Sequence, residues 1–277
     1  GEYMTVTNAV ETTMIWGTVS GASMVGMVIS LLLSVVLPIF LGIFIYKKTK
    51  AWVPAFFIGC GIFVGFAMIL EQICHAIVLT VTGSAIRDNI WLYAIYGGLA
   101  AALFEECGRW IAMKFCLKKH LTRENALMYG AGHGGIEAFL ILGMSSMSNL
   151  LTAAMINGGL MEKTMTALEP AQQEVTYHQL SVLWTTPAYQ FYLAPVERIS
   201  AIALQIALSI LVYSAVKTGR KLHLAAAFGL HFAVDFLTVI CASMIPTWAL
   251  ELGLLVVVAV ICAAVYKLVY VHSAEKK

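Results

Sequence analysis

Three pairs of polar side chains interrupt stretches that otherwise read as lipid-soluble: Glu105 with Glu106, His133 with Glu137, and His231 with Asp235. An ionisable group at mid-membrane costs about 3 kcal/mol on an insertion scale, so such groups mark a site by default. A carboxylate near imidazoles in a wet, protein-lined cavity can act as a general base on water, and the imidazoles can donate to the oxyanion of an attacked amide. Glu105 is the expected base, and Glu106, pointing about 100° away around the helix, can hold a neighbour. His133 is expected to hold the water or meet the oxyanion, and His231 to complete the donor set. Arg109 follows Glu105 by four residues and can offset a buried carboxylate, while Glu137 and Asp235 follow their histidines by four and are expected to support them. The same residue types suit a metal. His133, His231 and Glu105 are candidate Zn²⁺ ligands with one position left for water, although no HExxH occurs. The cofactor therefore stands between none and Zn²⁺. No nucleophilic alternative has its partners: Cys107 lies about 200° around the helix from Glu105.

These residues need helices that cross a bilayer. The chain of 277 residues is 60% hydrophobic and 12% charged, with a mean hydropathy of +0.85. Soluble proteins carry about 25% charged residues, so the expected fold is an all-α polytopic membrane bundle. A net charge of +2, spread over short clusters, excludes a nucleic-acid footprint. The six cysteines match no metal module and read as buried small hydrophobes. No basic region precedes the first apolar run, so no cleavable leader is expected.

Seven spans are predicted, at 24–46, 52–81, 90–113, 125–143, 197–216, 222–242 and 247–270. Basic clusters follow the first span (Lys47, Lys48, Lys50), the third (Lys114, Lys118, Lys119, Arg123) and the fifth (Lys217, Arg220, Lys221), and Lys276 and Lys277 end the chain. Placing all four in the cytoplasm puts the N-terminus outside and the C-terminus inside. The stretch 150–168 is apolar enough to suggest an eighth span, but Asn157, Gly158, Gly159, Glu162 and Lys163 interrupt it. The expected organisation is one membrane domain: an N-terminal segment 1–23, spans one to four over 24–145, an outer-face insertion 146–194, and spans five to seven with a basic tail over 195–277. The insertion is expected to be an amphipathic or partly embedded helix followed by an irregular stretch, with Tyr177, Trp184, Tyr189, Phe191 and Tyr192 at headgroup level.

Depth ties the pairs together. Glu105 lies nine residues before Lys114, His133 ten after Arg123 and His231 ten after Lys221. At 1.5 Å per residue, each sits about 14–15 Å from the basic end, near mid-membrane. Gly134 and Gly135 beside His133 leave room for either a backbone or a substrate. A secondary polar group, Glu71 with His75 and Glu197 beside Arg198, falls nearer the outer face and reads as structural ion pairing, with a wall of the same cavity as the alternative.

The segments EECGR at Glu105–Arg109, HGGIE at His133–Glu137, ER at Glu197–Arg198 and HFAVD at His231–Asp235 resemble the YhfC-type family of intramembrane proteases. More remotely, they resemble the type II CAAX prenyl endopeptidase and bacteriocin-processing (CPBP) proteins, the PrsW proteases and the APH-1 subunit of gamma-secretase. The resemblance implies that Glu105 or Glu106 is the catalytic glutamate, with His133 and His231 at the oxyanion and water position. It also implies an integral protein of a bacterial cytoplasmic membrane acting on a membrane-embedded peptide or protein. Members of these families are described both as metalloproteases and as glutamate-type enzymes. An intramembrane endopeptidase is therefore the expected function. The alternatives are a non-catalytic APH-1-like scaffold or receptor and a proton-coupled small-solute transporter. No internal repeat of the transporter kind is visible.

Overall fold

Residues 14–273 are described by a computed structural model of the chain. The segment 1–13 and the terminal Lys276 and Lys277 lie outside the described residues, as do the expectations attached to them. The described chain is helical, and seven of its helices are long and apolar enough to cross a membrane: α1 (Gly21–Thr49), α2 (Pro54–Thr82), α3 (Ile90–Cys116), α4 (Arg123–Asn157), α7 (Ala188–Thr218), α8 (Lys221–Ala242) and α9 (Thr247–Ser273). Two shorter helices, α5 (Leu160–Met165) and α6 (Pro170–Thr185), lie between α4 and α7.

Local chemistry sets the ends. The Ser20 hydroxyl accepts from the Ser23 N–H to cap α1, Asn89 accepts from the Trp91 and Leu92 N–H groups to cap α3, and Thr122 accepts from the Asn125 N–H to cap α4. Gly219, at φ 73°, closes α7 in the left-handed region that glycine enters without strain. Widened π turns interrupt α2 at Val64–Leu70, just before Glu71, and α4 at Phe139–Gly143, just after Glu137. Such turns are frequent at functional sites.

The fourth helix differs from expectation. It runs on past 143 to Asn157 and ends only at the Gly158–Gly159 pair. Ser145, Ser146, Ser148, Asn149 and Thr152 make that turn-rich sequence look like a loop. Their backbone N–H and C=O groups nevertheless pair best within a helix, and Ser145 turns its hydroxyl back onto the Ile141 carbonyl at 2.6 Å. The stretch expected to be irregular is also helical: Pro170 opens α6, and α7 starts at Ala188, ahead of the expected 197. The ends of α1, α4 and α6 share a small core of Val19, Met27, Ala153, Ile156 and Leu183. Trp16 packs on both Tyr177 and Trp184 beside it.

α7 is the central helix, with buried residues along nearly all of Ser200–Ala215. α4 crosses α2 at very short range. A Cβ on Gly132 would stand 1.9 Å from the Phe56 carbonyl oxygen, and one on Gly59 would stand 2.2 Å from that of Tyr129. Only glycine permits this backbone approach, which seats the next residue, His133, inside the bundle.

Candidate active site

α3 delivers Glu105, Glu106 and Arg109; α4 delivers His133 and Glu137; α8 delivers His231 and Asp235. All seven meet in one cluster, buried except at Asp235, whose side chain is partly exposed. His133 Nε2 lies 3.0 Å and His231 Nε2 3.9 Å from the same oxygen, Glu105 Oε2. Three helices therefore bring ionisable groups together at one place in the bundle.

The two neighbouring glutamates are surrounded differently. Arg109 pairs with Glu106, not Glu105: its Nε donates to Glu106 Oε2 at 3.0 Å and its Nη2 to Oε1 at 3.3 Å. Glu106 Oε1 also lies 2.7 Å from His231 Nδ1. An i,i+3 pairing across one helical turn has prevailed over the i,i+4 alternative, and the guanidinium reaches on to α7. There Arg109 Nη1 donates to the Gln205 carbonyl at 2.8 Å and to Ser209 Oγ at 2.6 Å, and Nη2 donates to Gln205 Oε1. The fully buried guanidinium is thus satisfied on every side. His231, fixed by Glu106, turns its Nε2 toward Glu105 and toward Asp235 Oδ2 at 3.5 Å.

Gln205 escapes a search for ionisable groups, yet it joins the cluster's halves. Its Nε2 donates to Glu105 Oε2 at 2.9 Å and to Glu137 Oε2 at 2.8 Å, while its Oε1 accepts from Arg109. Two acceptors on one side and a donor on the other leave a single sensible orientation for the amide. The signal in the sequence is an amide amid the apolar run Ile199–Val216. Tyr129, one turn before His133, places its hydroxyl 3.4 Å from His133 Nδ1, and Phe63 meets the ring edge-on.

The secondary polar group divides. Glu71 and His75 pair at 3.0 Å, and His75 Nδ1 reaches the Tyr96 hydroxyl at 2.7 Å, so this pair ties α2 to α3. Glu197 instead bonds Arg198, whose Nη1 donates to Glu137 Oε1 at 3.1 Å. Both line the same cavity as Glu105, Glu137, Gln205, His231 and Asp235. The wall-of-cavity alternative therefore describes Glu197, and the structural-pair reading describes Glu71 and His75. Gly134 and Gly135 serve packing, since a Cβ there would meet Ile202 Cα at 3.0 Å and Pro38 Cβ at 2.6 Å.

The cavity measures about 100 Å³, room for a few waters. Asp235 and Glu197, with side chains 38% and 27% exposed, are the more open carboxylates of its wall; Glu105 is 9% exposed.

A family profile described as YhfC intramembrane metalloprotease matches residues 33–262. The chain belongs to this family. A YhfC relative from Bacillus subtilis (strain 168), described as an uncharacterized membrane protein, is 41% identical over 222 residues, covering 77% of this chain and 83% of its own. No solved structure matches.

The donor set in this YhfC chain fits a metal. Glu105, His133 and Glu137 each offer one ligand atom, and these atoms lie within 4.8 Å of one another. Two carboxylates and one imidazole, all buried, suit a divalent ion such as Zn²⁺. His231 falls outside this group of three: Glu106 Oε1 lies 2.7 Å from its Nδ1, and its Nε2 is 3.9 Å from Glu105 Oε2.

Proposed function

We propose that the protein hydrolyses a peptide bond of a membrane-embedded protein or peptide at the centre formed by Glu105, His133 and Glu137, with His231 beside it. The observation that carries this reading is the contrast between Glu106, whose two oxygens are held by Arg109 and His231, and Glu105, which borders the cavity and takes its side-chain donors on Oε2. Glu105 is then the working carboxylate and Glu106 a positioning residue.

The roles follow from position. Glu105, His133 and Glu137 would hold a divalent ion, which when bound supplies Lewis acidity toward the scissile carbonyl and makes water a better nucleophile. Glu105 accepts the proton of the attacking water at Oε1, the oxygen that takes neither His133 nor Gln205. His231, with Nδ1 anchored on Glu106, presents Nε2 toward the reacting centre and there donates to the oxyanion or the leaving amine. Gln205 keeps the Glu105 and Glu137 carboxylates at a fixed spacing, and Arg198 offsets the charge of Glu137. Glu105, His133 and Glu137 are buried, and low-dielectric surroundings strengthen each of these interactions.

The test is cleavage of a panel of membrane-spanning peptides by purified protein in lipid. Glu105→Gln is expected to lower the cleavage rate by about 10²–10⁴-fold, with the variant still folded. Chelation is expected to abolish cleavage, and added Zn²⁺ to restore it. Full activity in Glu105→Gln would remove Glu105 from the reaction, and chelator-resistant cleavage would leave water activation to the glutamate alone. No cleavage by the wild type across the panel would overturn the hydrolytic reading.

A further inference from the structure

A second cavity lies at the end of the bundle where the basic clusters gather, and it shares no lining residue with the acid–histidine cavity. It has a volume of about 580 Å³, and its wall includes Lys48, Lys50, Trp52, Arg123, Glu124 and Tyr270. The wall is well tied. Lys50 turns the chain at φ 56°, the Trp52 N–H donates to Asn125 Oδ1 at 2.6 Å, and Asn125 Nδ2 donates to the His120 carbonyl at 2.7 Å. The Trp52 and His120 rings stack with centroids 4.1 Å apart. Arg123 lies over the Tyr270 ring at 4.4 Å and donates to the Tyr270 carbonyl at 2.9 Å, so α9 closes the far side.

The charge in this cavity is one-sided. Glu124 pairs with Arg123 at 2.9 Å, while among the described residues neither Lys48 nor Lys50 has a carboxylate partner. Lys50 Nζ lies over the Tyr46 ring at 5.2 Å. Two lysines and an arginine thus line the cavity against one acid, an excess of positive charge that favours an anion.

What lies beyond the cavity narrows the anion's identity. Tyr270 also lines an apolar groove of about 360 Å³ between α4, α7 and α9, with Leu127, Ile206, Ile210 and Tyr266 among its walls. Leu127 is one helical turn along α4 from Arg123, and Tyr266 is one turn along α9 from Tyr270. Tyr270 is thus common to both walls, and the apolar groove extends from it along α4 and α9, away from the basic end. A free phosphate would satisfy only the first half of this arrangement.

We propose that the cavity and groove together bind an anionic glycerophospholipid. The phosphate sits among Lys48, Lys50 and Arg123, and an acyl chain lies along the α4–α7–α9 groove past Tyr270. Basic pockets between membrane helices hold anionic headgroups by this combination of charge and hydrogen bonding. The site depends on none of the acid–histidine chemistry.

The experiment is native mass spectrometry and thermal unfolding of the protein in nanodiscs of equal phosphatidylglycerol and phosphatidylcholine. Phosphatidylglycerol is expected to be retained preferentially and to raise the unfolding midpoint over phosphatidylcholine alone. Lys48→Gln and Lys50→Gln are each expected to cut that preference about fivefold. Both side chains are exposed, so the variants should unfold in phosphatidylcholine at the wild-type temperature, which separates lost binding from lost folding. Equal retention of the two lipids, or a preference unchanged in the double variant, would overturn the proposal. So would an equal stabilisation by inorganic phosphate, since the groove would then contribute nothing.

Discussion

Glu105 and Glu106 are chain neighbours with the same side chain, and the bundle gives them opposite surroundings. Adjacent residues on a helix point about 100° apart, so one carboxylate can turn to Arg109 and α7 while the other turns to His133 and the cavity. The sequence makes the pair visible but not the division of labour, because Arg109 is within helical reach of both glutamates. What decides it is α7, whose Gln205 and Ser209 draw the guanidinium away from Glu105. Breaking a buried ion pair by removing one partner costs about 3–5 kcal/mol, and Arg109 is fully buried. Glu106→Gln is therefore expected to lower stability by roughly that amount, whereas Glu105→Gln should unfold near the wild-type midpoint. Thermal unfolding of both variants in the same detergent measures the difference. Equal midpoints would erase the distinction between a positioning glutamate and a working one. Gln205 teaches a related lesson. A carboxamide carries no charge cost to flag it, so only contact with Glu105, Glu137 and Arg109 reveals its place.

Helices carry these side chains to their positions, and the most demanding contact between helices is made by residues with no side chain at all. The α2–α4 crossing depends on Gly59 and Gly132, whose missing Cβ atoms leave space for the Tyr129 and Phe56 carbonyl oxygens. The rigid acceptor is backbone, so an added methyl group cannot be accommodated by a rotamer change. Gly132→Ala is expected to destabilise the bundle by about 1–3 kcal/mol or more and to misplace His133 next to it. Gly61→Ala and Gly97→Ala provide controls, because a Cβ at either position meets nothing within 4 Å. Dispersity on size-exclusion chromatography and the unfolding midpoint would report all three. Control variants as damaged as Gly132→Ala would show that glycine content, not this crossing, is what matters. Apolar runs made all seven spans readable, because length and hydropathy are properties of a segment by itself. The ends of α4 and α7 were not readable in the same way. Ser145 to Thr152 carry turn-forming residues, and their helical state depends on packing between α1, α4 and α6 around Ala153 and Leu183, which no local pattern contains.

At the scale of the molecule, the basic clusters and the aromatic cap give the bundle two unlike ends. Lys48 and Lys50 share a cavity wall with His120, Arg123 and Tyr270, and Lys217 Nζ donates to the Leu121 carbonyl at 3.3 Å, so three clusters lie at one end. The opposite end carries Trp16, Tyr177 and Trp184 packed over the tips of α1, α4 and α6. Lysine and arginine are retained on the cytoplasmic side during insertion, so we expect the Lys48–Arg123 end to face the cytoplasm and α5 and α6 the exterior. Lys118 and Thr166 are exposed positions at the two ends. With a membrane-impermeant maleimide, Thr166→Cys should be labelled in intact cells and Lys118→Cys only after the membrane is opened. The reverse pattern would invert the molecule. It would also move the proposed lipid site to the outer leaflet and turn the α6 cap inward. Orientation therefore decides which leaflet would supply the anionic lipid.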